Sequence, residues 1–502
     1  MESGDRHESH TFKGDLKEAV HELWKRTSAD HKRVVLLLVL AGAALRTALL
    51  FEPVTYDEAH AYIRFSARSF SDILGDYSLP GNHILHTLLV KLSTGVFGVG
   101  TWQMRLPALL AGIATLPLLY LFTRAMFNRY IAMLALALAA GSGPLIELSA
   151  LARGYSLSWM FFLMALLMGR YLAKRNGVMA AVLLGLINAL GFWSVPTMLY
   201  ATAMVYAWLP MYILDRYDST VRRRLGRVLL SVVFFLVFSA LLYSPVMLGH
   251  DVAQLFYHPM MGDNSWEAFT ASHYGASVDL WIWISETGSN GASIIGMLGL
   301  LYAIYVSSKF RFLLMALVAG AVPLVIVQRL VGPPQTWAYA ILIFHIGSGI
   351  AIFYLLKLIE ERMVPSFSKR LRTQVASVAL LVGFGAAALF ALYRPNRIER
   401  FGDAARAAGF IAPALAPADR VMAEFPWDAP LEFYLRAHHA DPQVMRRDPS
   451  PEGTLYIVAS PADGQDPASV LQHNKLPGHH AANARKVKDW KRLEVYTTRL
   501  ID

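Results

Sequence analysis

The chain has 502 residues, of which 55% are hydrophobic and only 16% are charged, and its mean hydropathy is +0.40. Soluble domains usually have about 25% charged residues, so this composition excludes an ordinary soluble core and indicates a polytopic membrane protein. The sequence has no cysteine, which excludes a disulfide framework, a thiolate metal site and a cysteine nucleophile. Lys and Arg in cytoplasmic loops explain the net charge of +10, so no nucleic-acid partner is expected.

The chain begins with a polar segment, 1–33, which lacks the pattern of a cleavable signal peptide and is predicted to be cytoplasmic. Apolar runs that can cross about 30 Å of hydrocarbon follow it. They predict about eleven transmembrane helices, near 34–52, 104–123, 130–148, 155–173, 177–193, 195–214, 227–248, 291–307, 311–329, 337–356 and 374–393.

Residues 83–98 form a further apolar run, which two patterns assign to the membrane interface. If this run does not span, the cytoplasmic segments hold 24 Lys and Arg residues and the outer loops before residue 394 hold six, as the positive-inside rule requires. His83, His86 and Lys91 would also share one face of a helix, opposite a leucine-rich face, which is typical of an interfacial helix. Residues 59–74 predict a second such helix, so the first outer loop would run from about 52 to 103.

The polar residues 394–502 predict a small extracytoplasmic α/β domain, with strands near 420–424, 454–459 and 493–498 and a helix near 429–437. Its expected role is acceptor binding or capping of the outer face. The predicted fold is therefore an α-helical polytopic membrane protein, with interfacial helices in the first outer loop. Its parts are a cytoplasmic segment, 1–33, a transmembrane domain, 34–393, and the C-terminal domain, 394–502.

Two adjacent carboxylates, Asp57 and Glu58, follow the first predicted span within a few residues. Carboxylates near a membrane are costly unless they are hydrated, paired or used in function. One interpretation is a solvated loop in which an acid caps the next helix. The other is a general base aimed at an acceptor hydroxyl, with a second acid that orients the base or helps to hold a cation.

Several cationic and polar residues accompany this acid pair. Arg64 and Lys91 lie in the first outer loop, Asn82 and His83 lie at the start of the interfacial helix, and Arg153 lies at the outer end of a span. Such cations can bind lipid headgroups. They can equally bind the phosphate of a lipid-linked donor, because Arg and Lys are the usual phosphate partners. Arg153, Lys91 and Arg64 are accordingly the candidates for a donor phosphate.

Short motifs in a fixed order resemble the C-type glycosyltransferase superfamily, in particular the branch of protein O-mannosyltransferases and lipid A aminoarabinose transferases. The resemblance runs from the first span through Tyr155, and its later half is mainly one of layout, with an outer Pro-aromatic entry at Pro333–Tyr339. The motifs are Tyr56-Asp57-Glu58-Ala59, Pro80-Gly81-Asn82-His83, Phe97-Gly98, Arg105-Leu106-Pro107 with Ala111-Gly112, and Ala152-Arg153-Gly154-Tyr155.

The resemblance implies an enzyme that takes a sugar from a polyprenyl-phosphate donor and transfers it, with inversion, to a glycan, lipid or protein hydroxyl on the extracytoplasmic face. It implies Asp57 as the catalytic carboxylate, Glu58 as its neighbour, Arg153 as a phosphate ligand, and Asn82, His83 and Tyr155 as further site residues. It leaves a divalent cation open, with Glu58 and His83 as the residues to hold it. The expected location is the inner or plasma membrane, with membrane lipids as partners.

Two departures limit what the resemblance carries over. The aminoarabinose enzymes have a further acid where this chain has Arg153 to Ser156, and they have Lys-Pro where this chain has Asn82-His83. The sugar, the acceptor and metal dependence are therefore not transferred. Two rival functions also stay open: a transporter or flippase of lipid-linked sugars, which favours repeated halves around a midplane charge site, and a ligase or polymerase that uses a lipid-linked oligosaccharide.

Overall fold

The structure is a computed structural model, and every structural statement below concerns the residues that it describes. They are Gly14, 27–79, 81–175, 177–215, 218–249, 255, 263–285, 290–363, 369–392, 399–445, 453–476 and 479–499. Most of the predicted cytoplasmic segment 1–33 lies outside them, as does Pro80 of the predicted motif.

The part before residue 393 consists of sixteen described helices. In chain order they are α1 (Ala29–Ala48), α2 (Tyr56–Ala61), α3 (Phe70–Gly75), α4 (Ile84–Phe97), α5 (Thr101–Met126), α6 (Arg129–Gly141), α7 (Gly143–Ser149), α8 (Tyr155–Arg175), α9 (Val178–Ser194), α10 (Met198–Leu214), α11 (Val221–Gly249), α12 (Trp266–Ser285), α13 (Asn290–Val306), α14 (Ser308–Gln328), α15 (Ala338–Met363) and α16 (Lys369–Leu392).

Each of the eleven predicted apolar runs coincides with one of these helices, or in one case with the pair α6 and α7. Among the described residues, five helices are long and apolar enough to cross a membrane, and six if the bent pair counts as one span. Several others are apolar but only 10–17 residues long. The mostly helical, membrane-type fold is confirmed, and the number eleven stays a prediction.

The first outer loop folds into four short segments. Helix α2 is followed by a π-helical turn, Tyr62–Ser66, and then by α3, which starts anew because the Ser69 hydroxyl accepts a hydrogen bond from the Asp72 amide. The single helix predicted over 59–74 is therefore broken at this serine. Helix α4 has 14 residues, about 21 Å at 1.5 Å per residue, which is too short to cross about 30 Å of hydrocarbon.

Helix α4 buries its polar face and exposes its apolar face. His86, Thr87 and Thr94 are buried, whereas Leu92 and Val96 are exposed. An apolar face turned outward suits a helix that lies in the lipid interface. The same packing brings His83, at the start of the helix, inside the protein.

The apolar segment that leads to the loop carrying Arg153 is bent. Helices α6 and α7 meet at an angle of 61°, at the extended residue Ser142 with Pro144 in the first turn of α7. Helix α7 packs on α5 at Gly112, where an added Cβ would lie 2.2 Å from the Ser149 hydroxyl. This close approach accounts for glycine in the Ala111-Gly112 motif and sets the position of the loop that carries Arg153.

The C-terminal residues form a four-stranded sheet with short helices. The elements are α17 (Gly402–Ile411), β1 (Arg420–Ala423), α18 (Asp428–Ala437), β2 (Thr454–Ala459), α19 (Pro467–His473), α20 (His479–Ala482), β3 (Arg485–Asp489) and β4 (Glu494–Arg499). The strand order is β1-β2-β4-β3, with β1 and β2 parallel and the other pairs antiparallel. Strands lie at the three predicted runs, and β3 was not predicted because its sequence is charged and exposed.

One hydrophobic core joins the C-terminal domain to the first outer loop. Val54, Ala59 and Tyr62 of the loop are buried in the same cluster as Phe401 and Phe433 of the domain. The rings of Tyr62 and Phe433 meet edge to face, with centroids 5.4 Å apart. The domain therefore packs directly on α2, the helix that carries the two carboxylates.

Candidate functional site

Three of the sequence motifs meet at the carboxylate of Glu58. Its Oε1 accepts hydrogen bonds from Arg105 Nε at 2.7 Å and from the Ala152 amide at 2.8 Å. Its Oε2 accepts from Arg105 Nη2 at 2.7 Å and from the Thr55 amide at 3.0 Å. Because the Thr55 hydroxyl also accepts from the Glu58 amide, the two residues form a capping box at the start of α2.

Arg105 fastens this carboxylate to the end of the first span. The guanidinium is fully buried and also donates to the main-chain carbonyls of Leu49, Leu50, Glu52 and Pro53, at 2.6–3.2 Å. Burial alone would raise the pKa of Glu58, but the Arg105 charge and the four hydrogen bonds hold that pKa below its ordinary value. Glu58 is therefore an ionised anchor, and its oxygens are not available to a substrate. These contacts argue against a direct contact between Glu58 and a substrate, and the predicted role as the acid that orients Asp57 stays a prediction.

Asp57, one residue earlier on α2, has the opposite environment. Its side chain is 73% exposed, and its Oδ2 lies 3.9 Å from Arg153 Nη2. Glu58, buried in the capping box, fixes the start of α2, and this fixes the direction in which Asp57 faces outward. Asp57 is thus held on an anchored helix with its carboxylate exposed beside Arg153.

Arg153 and His83 are positioned through Gly154. The Gly154 amide donates to His83 Nδ1 at 2.9 Å, and a Cβ at this position would lie 2.4 Å from the Ser194 carbonyl. Only glycine fits this approach, which accounts for the Ala-Arg-Gly-Tyr motif. Burial, followed by the charge of Arg153, holds the pKa of His83 well below its ordinary value, so the ring is neutral and carries its proton on Nε2.

A cavity of about 200 Å³ opens beside these residues. Arg153, His83 and Tyr155 line one side, and the rings of His83 and Tyr155 meet edge to face. The other lining residues come from distant parts of the chain and include Tyr77, Pro196, Thr197, Tyr200, Gln328, Pro333 and Thr336. Except for Pro333 and Thr336, the sequence did not indicate the residues in this list. The predicted Pro-aromatic entry at Pro333–Tyr339 therefore borders the cavity.

The other predicted site residues lie in local structural contacts outside this lining. Arg64 pairs with Asp76 at 3.5 Å and donates to the Ser78 hydroxyl. Lys91 donates to the Arg68 carbonyl and stacks over the Phe70 ring. Neither cation lines the cavity, which argues against their predicted role at a donor phosphate.

Asn82 is a structural residue rather than part of the cavity wall. It is buried, it donates to the carbonyls of Ile73 and Asp76, and it accepts from the Thr87 hydroxyl. These three bonds fix the turn before α4, and so place His83. Both amide hydrogens are used in these bonds, so the side chain has no donor left for a substrate.

The geometry does not fit a divalent cation held by Glu58 and His83. Each oxygen of Glu58 already accepts two hydrogen bonds. The Nδ1 lone pair of His83 accepts from Gly154, so its Nε2 carries the proton and cannot bind a metal. In the described ranges, no group of three His, Cys, Asp or Glu side chains could hold a metal ion.

The neutral state of His83 predicts acid sensitivity. Because its pKa is lowered on folding, the stability that it contributes is present above about pH 6.5 and is lost below it, where only the unfolded chain takes up the proton. We expect the free energy of unfolding of His83→Asn to fall less steeply below pH 6.5 than that of the wild type, by up to about 1.4 kcal/mol per pH unit. Thermal unfolding of both proteins at pH 7.5 and 5.5 measures this difference.

His83→Gln is the matched control. Gln also does not titrate, but it places no acceptor at the Nδ1 position, so the Gly154 amide is left unsatisfied at a cost of about 1–3 kcal/mol. Both variants should lose the same acid sensitivity, and only His83→Gln should be strongly destabilised at pH 7.5. An Asn variant as acid-sensitive as the wild type contradicts the assigned protonation state.

Comparison with known proteins gives a consistent result. The model of the family described as dolichyl-phosphate-mannose-protein mannosyltransferase matches residues 82–243. The crystal structure of ArnT from Cupriavidus metallidurans bound to undecaprenyl phosphate is 17% identical, with a TM-score of 0.58, over 92% of this chain and 97% of that chain. Its apo structure is 16% identical, with a TM-score of 0.61, over 93% and 98%. A search of the curated proteins gave no match.

These likenesses show a common fold. The match covers nearly the whole of both chains, so the C-terminal domain and the membrane part are both included. With the apolar helices, they also establish an integral membrane protein.

Proposed function

Because this chain has the fold of the C-type glycosyltransferase superfamily, we propose that it is a glycosyltransferase that uses a polyprenyl-phosphate sugar. The sugar passes to an acceptor hydroxyl at the extracytoplasmic face of the membrane. One observation carries the proposal: an exposed carboxylate, Asp57, lies 3.9 Å from Arg153, and Arg153 lines the cavity. The ArnT structure with undecaprenyl phosphate supports the donor class.

The donor phosphate belongs beside Arg153. The Arg153 side chain is only 17% exposed and lines the cavity together with His83. A partly buried guanidinium and a neutral imidazole N–H both donate to phosphate oxygens, and the Arg charge offsets the charge that grows on the leaving phosphate. Aliphatic and aromatic walls at Tyr77, Val195 and Leu199 suit the apolar chain next to the phosphate.

The reaction is a single displacement. The acceptor oxygen bonds to the anomeric carbon from the side opposite the phosphate, the bond from that carbon to the phosphate oxygen breaks, and polyprenyl phosphate leaves. The hydroxyl proton passes to the Asp57 carboxylate. The protein must mainly position the two substrates and stabilise the leaving charge, and Asp57 acts as the general base.

The proposed orientation follows from the charge distribution. The N-terminal segment and the Arg222–Arg224 cluster are cytoplasmic under the positive-inside rule. The first outer loop, Arg153 and the C-terminal domain then share the extracytoplasmic side, which agrees with their packing in one core.

Radiolabelled donors test this function directly. Purified full-length protein in lipid nanodiscs is supplied with a set of polyprenyl-phosphate monosaccharides, together with glycans, lipids and hydroxyl-bearing peptides as acceptors. We expect label to move from one donor to one acceptor class. Turnover with lipid-linked oligosaccharides alone would identify a ligase or polymerase instead, and no turnover with any donor would contradict an enzymatic function.

A further inference from the structure

An exposed aromatic side chain of the C-terminal domain stands next to the acidic motif. Phe425 is 59% exposed, and its ring meets the Tyr56 ring edge to face at 4.9 Å. Tyr56 stacks in turn on His60, with centroids 5.7 Å apart and planes 13° apart. The three rings thus form a continuous row. Two of them, Tyr56 and His60, flank Asp57 in the sequence of α2.

The loop that carries Phe425 is held in place by buried polar contacts. The Gln465 side chain is buried, donates to the Phe425 carbonyl at 2.8 Å and accepts from the Ser460 amide at 3.1 Å. The buried Trp427 ring donates to Asp463 at 2.8 Å. These contacts hold the exposed Phe425 ring in a fixed position, as a preformed binding surface requires.

The partly exposed carboxylate of Asp428 completes the set. Asp428 begins α18, and its Oδ1 is buried with no hydrogen-bond partner among the described residues. Its charge reaches the same groups as that of Asp57. Burial, and after it the charges of Asp428 and Asp57, raises the pKa of Tyr56 to about 12. Burial lowers the pKa of His60, and the same two charges oppose that lowering.

Hydrogen bonds fix the C-terminal domain to the first outer loop. They therefore also fix the distance of Phe425 and Asp428 from Asp57. The Tyr434 hydroxyl accepts from the Val54 amide at 2.9 Å, the Phe401 amide donates to the Val54 carbonyl at 3.0 Å, and Arg400 donates to the Pro53 carbonyl at 3.1 Å. Each of these bonds lies within a few residues of Asp57.

We propose that Tyr56, His60, Phe425 and Asp428 form an acceptor platform, and that the acceptor is a carbohydrate. The inference rests on the proposed function and names its acceptor class. A sugar ring has an apolar C–H face and a rim of hydroxyls. The C–H face covers Phe425, one hydroxyl donates to the Asp428 carboxylate, and the neighbouring hydroxyl is presented to Asp57 for deprotonation.

This chemistry favours a sugar over a peptide or a simple lipid. An extended peptide would need main-chain partners such as an open strand edge, and the platform is made of side chains on a loop and two helix starts. A lipid tail would bring no hydrogen-bond donor to the Asp428 carboxylate. Asp is an acceptor only, so the ligand must bring hydroxyl or amine donors.

Two variants and a matched control test the platform. Phe425→Ala and Asp428→Asn are compared with Phe410→Ala, which removes another partly exposed phenylalanine of the same domain, from α17. The full-length protein in nanodiscs is titrated with methyl hexopyranosides and methyl pentofuranosides, and binding is followed by saturation-transfer NMR. The same glycosides then serve as acceptors with the labelled donor.

We expect the two platform variants to raise the Kd and KM for glycosides about tenfold or more, with the KM for the donor unchanged and Phe410→Ala equal to the wild type. Glycoside binding that is unaffected in both platform variants overturns the platform, and labelling of a Ser/Thr peptide in place of every glycoside overturns the acceptor class. If no donor supports turnover, the proposed function fails, and NMR binding still decides whether the platform holds sugars.

Discussion

Replacing Asp57 by Asn is expected to lower sugar transfer by about 10²–10⁴-fold, the usual contribution of a general base. The Asn amide cannot take the acceptor proton, whereas the size of the side chain is kept. Because Asp57 is 73% exposed and its contact with Arg153 is long, the fold should be unaffected. Initial rates with labelled donor, measured beside the thermal unfolding of the same preparation, separate the two effects.

Asp72→Asn is the matched control for that substitution. Asp72 is an exposed carboxylate in the first turn of α3, in the same outer loop, and lies outside the cavity lining. Its replacement should leave transfer within about twofold of the wild type. Full activity of Asp57→Asn in well-folded protein would remove Asp57 from the mechanism.

Breaking the Glu58–Arg105 pair is expected to have the largest effect on stability. Either Glu58→Gln or Arg105→Gln leaves a charge buried without its partner, which typically costs about 3–5 kcal/mol. Arg105 also holds four main-chain carbonyls at the end of α1, so its loss should additionally release the start of α2. Thermal unfolding in one detergent, together with the transfer rate, reports both consequences.

The double variant, Glu58→Gln with Arg105→Gln, gives a sharper result than either single change. With no uncompensated charge left, it should be more stable than the sum of the two single effects predicts, by about 1–3 kcal/mol. Arg68→Gln, which changes an exposed arginine of the same loop, should be near neutral. Single variants that unfold like Arg68→Gln would show that this ion pair does not anchor the loop.

The positions of the helices along the chain could largely be predicted from the sequence, because long apolar runs leave few alternatives in a membrane. The bend between α6 and α7 and the break in the 59–74 segment depend on local residues, Ser142 with Pro144 and Ser69. Strand β3 could not be predicted from its Arg-Lys-Val-Lys-Asp sequence, since it gains its position by pairing with β4.

The two adjacent carboxylates show what sequence reasoning can and cannot separate. Glu58 caps α2, as the first interpretation expects, whereas Asp57 is exposed and its role as a general base stays a prediction. The spacing Thr55-x-x-Glu58 is a capping-box signal and could have identified Glu58 as the anchor. The partner Arg105 stands 47 residues later, and its role appears only when the two helices pack.

The cations were harder to assign, because nearness in sequence does not give direction. Arg64 and Lys91 lie in the same loop as Asp57, yet Arg64 pairs with Asp76 and Lys91 donates a hydrogen bond to the Arg68 carbonyl. Arg153 is distant in sequence and reaches Asp57 through the fold. Tyr200 and Gln328, which bond to each other in the cavity wall, had no sequence signal of their own.

Binding of undecaprenyl phosphate to the wild type and to single Arg or Lys variants tests the central claim, that the donor phosphate sits beside Arg153. The protein in nanodiscs is titrated with undecaprenyl phosphate, and Arg153→Gln is compared with Arg64→Gln and Lys91→Gln. Loss of a charge-assisted phosphate contact should weaken binding at least about tenfold in Arg153→Gln, and the other two should stay within about twofold. Unchanged affinity in Arg153→Gln, or a loss confined to Arg64→Gln or Lys91→Gln, would contradict this account of the site.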